Sequence, residues 1–100
     1  MQVTIAPKLV GEIRVETIDL SSLLVVGQSV TSATAAATVY SGTDASPPAV
    51  VVTTTTTSVF PVLSGGVLGV IYAVRINATA TSPSAVIPVT FYLAIIPDLP

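Results

Sequence analysis

The sequence predicts an all-β fold, a two-sheet antiparallel sandwich of about seven short strands. Three observations carry this. β-Branched residues dominate, with 17 Val and 14 Thr in 100 residues, and their stiff side chains suit a pleated surface better than a helix. Six Gly and eight Pro punctuate the chain at intervals too short for a long helix. Two segments near the C-terminus alternate apolar and polar residues at period two, the mark of a strand with one buried face.

Taken in order, the first segment (Met1–Val10, with Pro7) reads as an extended arm. Ile13–Leu20 places apolar residues at 13, 15, 18 and 20, so its period slips mid-strand, as a bulge would make it. Leu23–Val26 is a short strand closed by Gly27. Val30–Val39 alternates with small residues, and Ala33, Ala35, Ala37 and Val39 line one side. Val50–Ser58 contains the run Thr53–Thr57, which reads as a Thr-faced surface or edge strand. Val59–Leu63 is short and ends at Ser64-Gly65-Gly66.

The last two strands are the clearest. Across Val70–Ala80, Tyr72, Val74, Ile76, Ala78 and Ala80 share one face. From Ala85 onward, Ile87, Val89, Phe91, Leu93 and Ile95 form an apolar face. Pro88 lacks a ladder donor and marks an edge position or a bulge. Ser82-Pro83-Ser84 is a turn, so the two strands pair as an antiparallel hairpin. The expected organisation is an arm over 1–12, an immunoglobulin-like sandwich over 13–96, and a tail over 97–100.

Composition excludes most chemistry. There is no His, Cys or Trp, so a Ser-His-Asp triad, a Cys-His nucleophile and an ordinary zinc site are all missing. Three basic residues cannot neutralise a nucleic-acid backbone, and a net charge of −2 offers no basic patch to an anionic membrane. The longest unbroken apolar run, Val70–Val74, is far below the ~20 residues of a membrane-spanning helix. The N-terminus has no basic region followed by a long apolar stretch, so no signal peptide is expected. Charged residues make up 8% of the chain against roughly 25% in ordinary soluble domains. A surface so poor in charge fits one that neighbours cover in an assembly.

Few side chains stand out as site candidates. Ser41–Pro48 is rich in oxygen but holds one carboxylate, Asp44, too few for Ca²⁺; an Asx turn feeding Pro47 explains it. Gly65, Gly66 and Gly69 form a turn, since no Lys or helix follows to cradle phosphate. Tyr72, just after Gly69 at the start of a long penultimate strand, matches a tyrosine corner, in which the hydroxyl bonds back to the main chain. Tyr92 points away from the Phe91 face and is a candidate interface anchor. Met1, Val3, Ile5 and Pro7 of the arm are further interface candidates. Glu12, Arg14 and Glu16 alternate along one strand face as a solvated or salt-bridged stripe. No catalytic residue, metal ligand or cofactor site is expected.

The order of these motifs resembles a known family. Val26-Gly27-Gln28-Ser29-Val30-Thr31-Ser32-Ala33, then Tyr40-Ser41-Gly42-Thr43-Asp44-Ala45-Ser46-Pro47, then Leu63-Ser64-Gly65-Gly66 with Gly69-x-x-Tyr72, resemble the fibre–tail adaptor-like proteins of tailed bacteriophages. The resemblance runs from about Leu23 to Ile95. It implies an immunoglobulin-like fold and a non-enzymatic virion part, assembled in the bacterial cytoplasm. Its partners would be other virion proteins of tail, fibre or capsid, with homo-oligomeric or symmetric assembly and no cofactor, nucleic acid or membrane. A capsid decoration (cement) protein on the head lattice is the alternative. A carbohydrate- or surface-binding module is a third reading, disfavoured by the lack of Trp and the few Tyr.

Overall fold

The computed structural model describes residues 2–81 and 84–98. Its strands are β1 (Lys8–Leu9), β2 (Arg14–Val15), β3 (Ile18–Asp19), β4 (Ser29–Ser41), β5 (Val51–Thr54), β6 (Ser58–Leu63), β7 (Ile71–Thr81) and β8 (Ala85–Ile96). One sheet has the order β1-β8-β7-β4; in the other, β2 and β3 both pair with β6, which also carries β5. With β2/β3 as B, β4 as C and β5 to β8 as D to G, these are the B-E-D and C-F-G sheets of an immunoglobulin-like sandwich. All strand pairs are antiparallel except β1 with β8, which is parallel.

The core follows from the period-two pattern. Tyr72, Val74, Ile76, Ala78 and Ala80 of β7 and Val89, Phe91, Leu93 and Ile95 of β8 are buried, with Val59 and Leu63 of β6 and Ile18 and Leu20 facing them. The β7–β8 ladder runs without a break from Ile71↔Ala94 to Ala80↔Ala85; residues 82 and 83 of its turn lie outside the described residues. Ala33, Ala35, Ala37 and Val39 of β4 pack, half-buried, against this core. Small side chains there leave room on the inner side of β4 for the opposite sheet, where β5 and β6 lie against it.

Pro88 sits opposite Asn77 of β7. The N-terminal segment joins β8 from Thr90 onward. The β7–β8 register passes through Pro88 without a shift, so no bulge forms there.

Four segments differ from the sequence reading. The first concerns Ile13–Leu20, which contains no bulge: Arg14↔Leu63, Val15↔Val62, Ile18↔Val59 and Asp19↔Ser58 keep one register throughout. The ladder pauses only opposite Pro61, which lacks a donor and accepts from Glu16 N at 3.0 Å. Glu12, Arg14, Glu16, Ile18 and Leu20 share the inward side, and Ile13 and Val15 point to solvent at 74% and 58% exposure. The apparent slip is a change of polarity along one face.

Second, the N-terminal segment is extended but is not a free arm. Val3 N donates to Thr90 O at 2.9 Å, Lys8 and Leu9 pair with Ile95 and Ile96, and Val3, Ile5 and Val10 pack on the core. Burying these side chains against β8 outweighs the entropy of a loose tail. Third, the Thr run ends β5 at Thr54. The turn that follows closes through Thr55 N to Ser58 O, while Thr56 O and Thr57 O accept from Val30 N and Leu20 N, one from each sheet. Fourth, Leu23–Val26 is a loop after a 3-10 turn (Ser21–Leu23), with Val26 fully exposed.

Candidate interaction surface

Three anchored corners hold the faces in place. At one end of the sandwich the Tyr72 side chain is wholly buried. Its hydroxyl accepts from Val67 N at 2.8 Å and donates to Asp44 Oδ2 at 2.6 Å. Asp44 Oδ1 accepts from Ser46 N at 2.9 Å, an Asx turn leading into exposed Pro47. Tyr72 thus ties the Asp44 loop to the glycine turn before β7. Burial is the main reason its phenol is held above the ordinary 10.0; hydrogen bonding to the Asp44 carboxylate adds to the rise. Gly66 takes φ +99° beneath this ring, and a Cβ there would lie 2.9 Å from Ile95 and 3.3 Å from Tyr72. Gly65 and Gly69 share the turn.

The second corner is Lys8, fully buried although it is a lysine. Its Nζ donates to Leu9 O at 2.8 Å and Gly65 O at 2.9 Å, and reaches Val10 O at 3.5 Å. Main-chain carbonyls satisfy the ammonium that a carboxylate would otherwise have to neutralise. The third corner is Arg14, which donates to Ala6 O at 2.6 Å and Pro7 O at 3.2 Å. Its Nε stands 2.8 Å from Glu16 Oε1, an ion pair without hydrogen-bond alignment, and Glu12 lies 3.8 Å away. Of the two forms expected, the stripe is the salt-bridged one, and its arginine also clasps the N-terminal segment.

The remaining charges are also engaged. Glu12 Oε1 accepts from Leu9 N, Asp19 Oδ1 from Ser21 N, and Asp98 Oδ1 from Gly11 N. The bond from Ser21 holds the Asp19 carboxyl below its ordinary value. Among the described residues Arg75 alone of the charged side chains has no internal bond or ion pair.

Arg75 is exposed at the middle of the outer face of β4-β7-β8, in one row with Ala36 and Thr90. The next row is Thr38, Ala73 and Tyr92. Tyr92 is 41% exposed and lies against Tyr40, ring centroids 4.7 Å apart and tilted by 56°. Arg75 and Tyr92 are diagonal neighbours across two strands, near enough for long side chains to act on one partner group. Around them the face is small and flat, with Thr34, Ala36, Ala73, Thr90 and Ala94, and larger aliphatics lie only towards its ends, Val86 at one and Ile71 and Ile96 at the other. Large amphipathic anchors on a flat ground are the arrangement of protein–protein hot spots, where Tyr and Arg are enriched.

The structure separates the sequence-derived candidates. Tyr72, Asp44, Gly65, Gly66 and Gly69 converge at the first corner, with Pro47 leading away. Val3 and Ile5 are half-buried on their own core, and Pro7 accepts from Arg14. Met1 lies outside the described residues. Tyr92 is on the open face, joined by Tyr40 and Arg75, which sequence reasoning passed over. The signal available was that Arg75 is the one charge on an otherwise neutral strand. Among the described residues no cavity opens and no three acidic side chains gather. No family model, curated protein or solved structure matches this chain.

Proposed function

We propose that the chain is a non-enzymatic structural protein of a bacteriophage virion, an adaptor that joins tail or fibre components through protein contacts. The observation that carries the assembly reading is the β4-β7-β8 face. Seven of the eight charged residues are engaged in internal bonds, leaving Arg75 beside the Tyr40–Tyr92 pair. Such a face fits a flat partner that brings a carboxylate to Arg75 and apolar surface to the tyrosines. The choice of a virion rests on the motif resemblance and the low charge content.

The test is copy number in particles purified from cells that produce this chain, by quantitative mass spectrometry against the major capsid protein. Cleavage after Arg75 releases Ile76–Pro100 as a reporter peptide. A small symmetric number supports an adaptor. A number near that of the capsid subunits makes the chain a head decoration protein, and absence from the particles overturns the virion reading. Arg75→Glu should fold normally and fail to incorporate.

A further inference from the structure

Among the described residues the two sheets end in four edges, and three of them are covered, short or charged. The outer side of β8 is taken from Thr90 onward by the N-terminal segment. In the other sheet β5 is four residues long, and β2 and β3 are two residues each and carry Arg14 and Asp19. The fourth edge is β4, which pairs with β7 alone. Its 13 residues hold no charge and no Pro, the devices that usually keep an edge from pairing further. Register shifts interrupt it between Val30 and Ser32 and between Val39 and Ser41, and Val30 N already donates to Thr56 O. Between the shifts, Ser32–Val39 is a regular open ladder about 27 Å long. The alternate N–H and C=O groups there that turn away from β7 have no main-chain partner among the described residues. Ala33, Ala35, Ala37 and Val39 pack towards the core yet stay half-buried, as inner side chains do along an uncovered edge.

We propose that β4 takes an extended segment of another protein as an added antiparallel strand, with an acidic residue beside Ala36. The edge selects a strand, because alternating main-chain donors and acceptors are matched by another extended backbone. Arg75 selects the charge. It stands in the row of Ala36, one strand in from the edge. The added strand would lie two spacings from β7, about 10 Å, with the methyl group of Ala36 between them. A Glu in that row meets the guanidinium across Ala36 as a charge-assisted pair. A second copy is the poorer occupant. Setting β4 against β4 about a two-fold axis brings no carboxylate to either Arg75, since β4 has none and the five acidic side chains are engaged elsewhere. The proposal rests on the reading of the β4-β7-β8 face as a contact surface and sharpens it: the carboxylate arrives on an added strand. It does not need the virion.

The probe is a synthetic peptide of about ten residues, with Val on the core side, Thr on the outer side and Glu in place of the central Thr. It is titrated into the purified chain to about 1 mM, with amide hydrogen exchange followed residue by residue. In the free chain, alternate amides of Ser32–Val39 should exchange faster than those of β7, and the peptide should protect them. Lys in place of the peptide's Glu should weaken binding about tenfold or more, and Arg75→Glu should reverse that preference. Arg75 is exposed, so thermal unfolding should show this variant folded. N-methylation of one alternate set of peptide amides should abolish binding, and of the other set leave it.

Peptides that protect no amide of Ser32–Val39 overturn the proposal, while particle copy number still tests the contact-surface reading. Binding that survives either N-methylation overturns the added strand and leaves that reading standing. A preference for Glu over Lys that Arg75→Glu does not change overturns both. Protection of the same amides in the chain alone, rising with its concentration, makes a second copy the occupant and overturns the choice of an acidic partner.

Discussion

Removing one oxygen atom tests how the sandwich end is held. Tyr72→Phe keeps the ring in the core and deletes the hydroxyl that joins Val67 N and Asp44 Oδ2. The bond with the main chain is worth about 1 kcal/mol net, and that to an ionised carboxylate about 1.5–3 kcal/mol. Asp44 is half-buried and keeps its Ser46 bond, so water recovers part of the second term. The expected loss is about 2 kcal/mol. For a 100-residue domain the unfolding entropy converts this to a fall in Tm of about 10 °C. Urea denaturation of the wild type, Tyr72→Phe, Asp44→Ala and the double variant measures it directly. The double-mutant cycle should show a coupling of about 1 kcal/mol or more. A Tyr72→Phe midpoint within error of wild type, or fully additive variants, would refute the reasoning.

Four further outcomes follow from the same geometry. Gly66→Ala should cost about 2–3 kcal/mol, because positive φ and the contact with Ile95 act together; Gly69→Ala, with positive φ but open space around it, should cost about 1 kcal/mol. Paired thermal melts showing equal losses would count against the steric part. Lys8→Met should lower stability by about 1–3 kcal/mol by stranding the Leu9 and Gly65 carbonyls, and an unchanged denaturation midpoint would show that water replaces the ammonium. Deleting residues 1–12 should remove most of the stability, on the order of 5 kcal/mol, since it strips β8 of its neighbour and uncovers core under Val3, Ile5 and Val10; a truncated chain with native near-ultraviolet circular dichroism and midpoint would overturn that.

The fourth is a pH dependence. Tyr72 has a folded pKa above its unfolded value of 10.0, so its contribution to stability is complete below pH 10. It is lost as pH rises from there through the folded pKa, because the unfolded chain releases the proton first. Urea midpoints should fall above pH 10 in the wild type and fall less steeply in Tyr72→Phe.

How much of this was legible can be read residue by residue. The alternation in β7 and β8 was plain because both strands lie at the sandwich centre, where one face meets the core along its whole length. The place of Tyr72 was legible for the same reason, together with the glycines that precede it. Asp44 was legible as a turn residue and not as the partner of Tyr72, since 28 positions separate them and no local pattern links their strands.

By itself, then, the sequence determined the all-β class, the pairing of the last two strands, the glycine turn, and the poverty of charge. Those properties depend on local propensity and on period, which are written along the chain. Only the tertiary structure decided that Lys8 is buried, that Arg14 clasps Ala6 and Pro7, and that Ile13 and Val15 face outward. Only the fold, too, left Arg75 alone beside Tyr40 and Tyr92. Each of these turns on which distant main-chain group or strand lies opposite. An inward charge and an outward valine carry the same period as the reverse arrangement, so alternation gives the spacing of a strand's two faces without saying which one the core will cover.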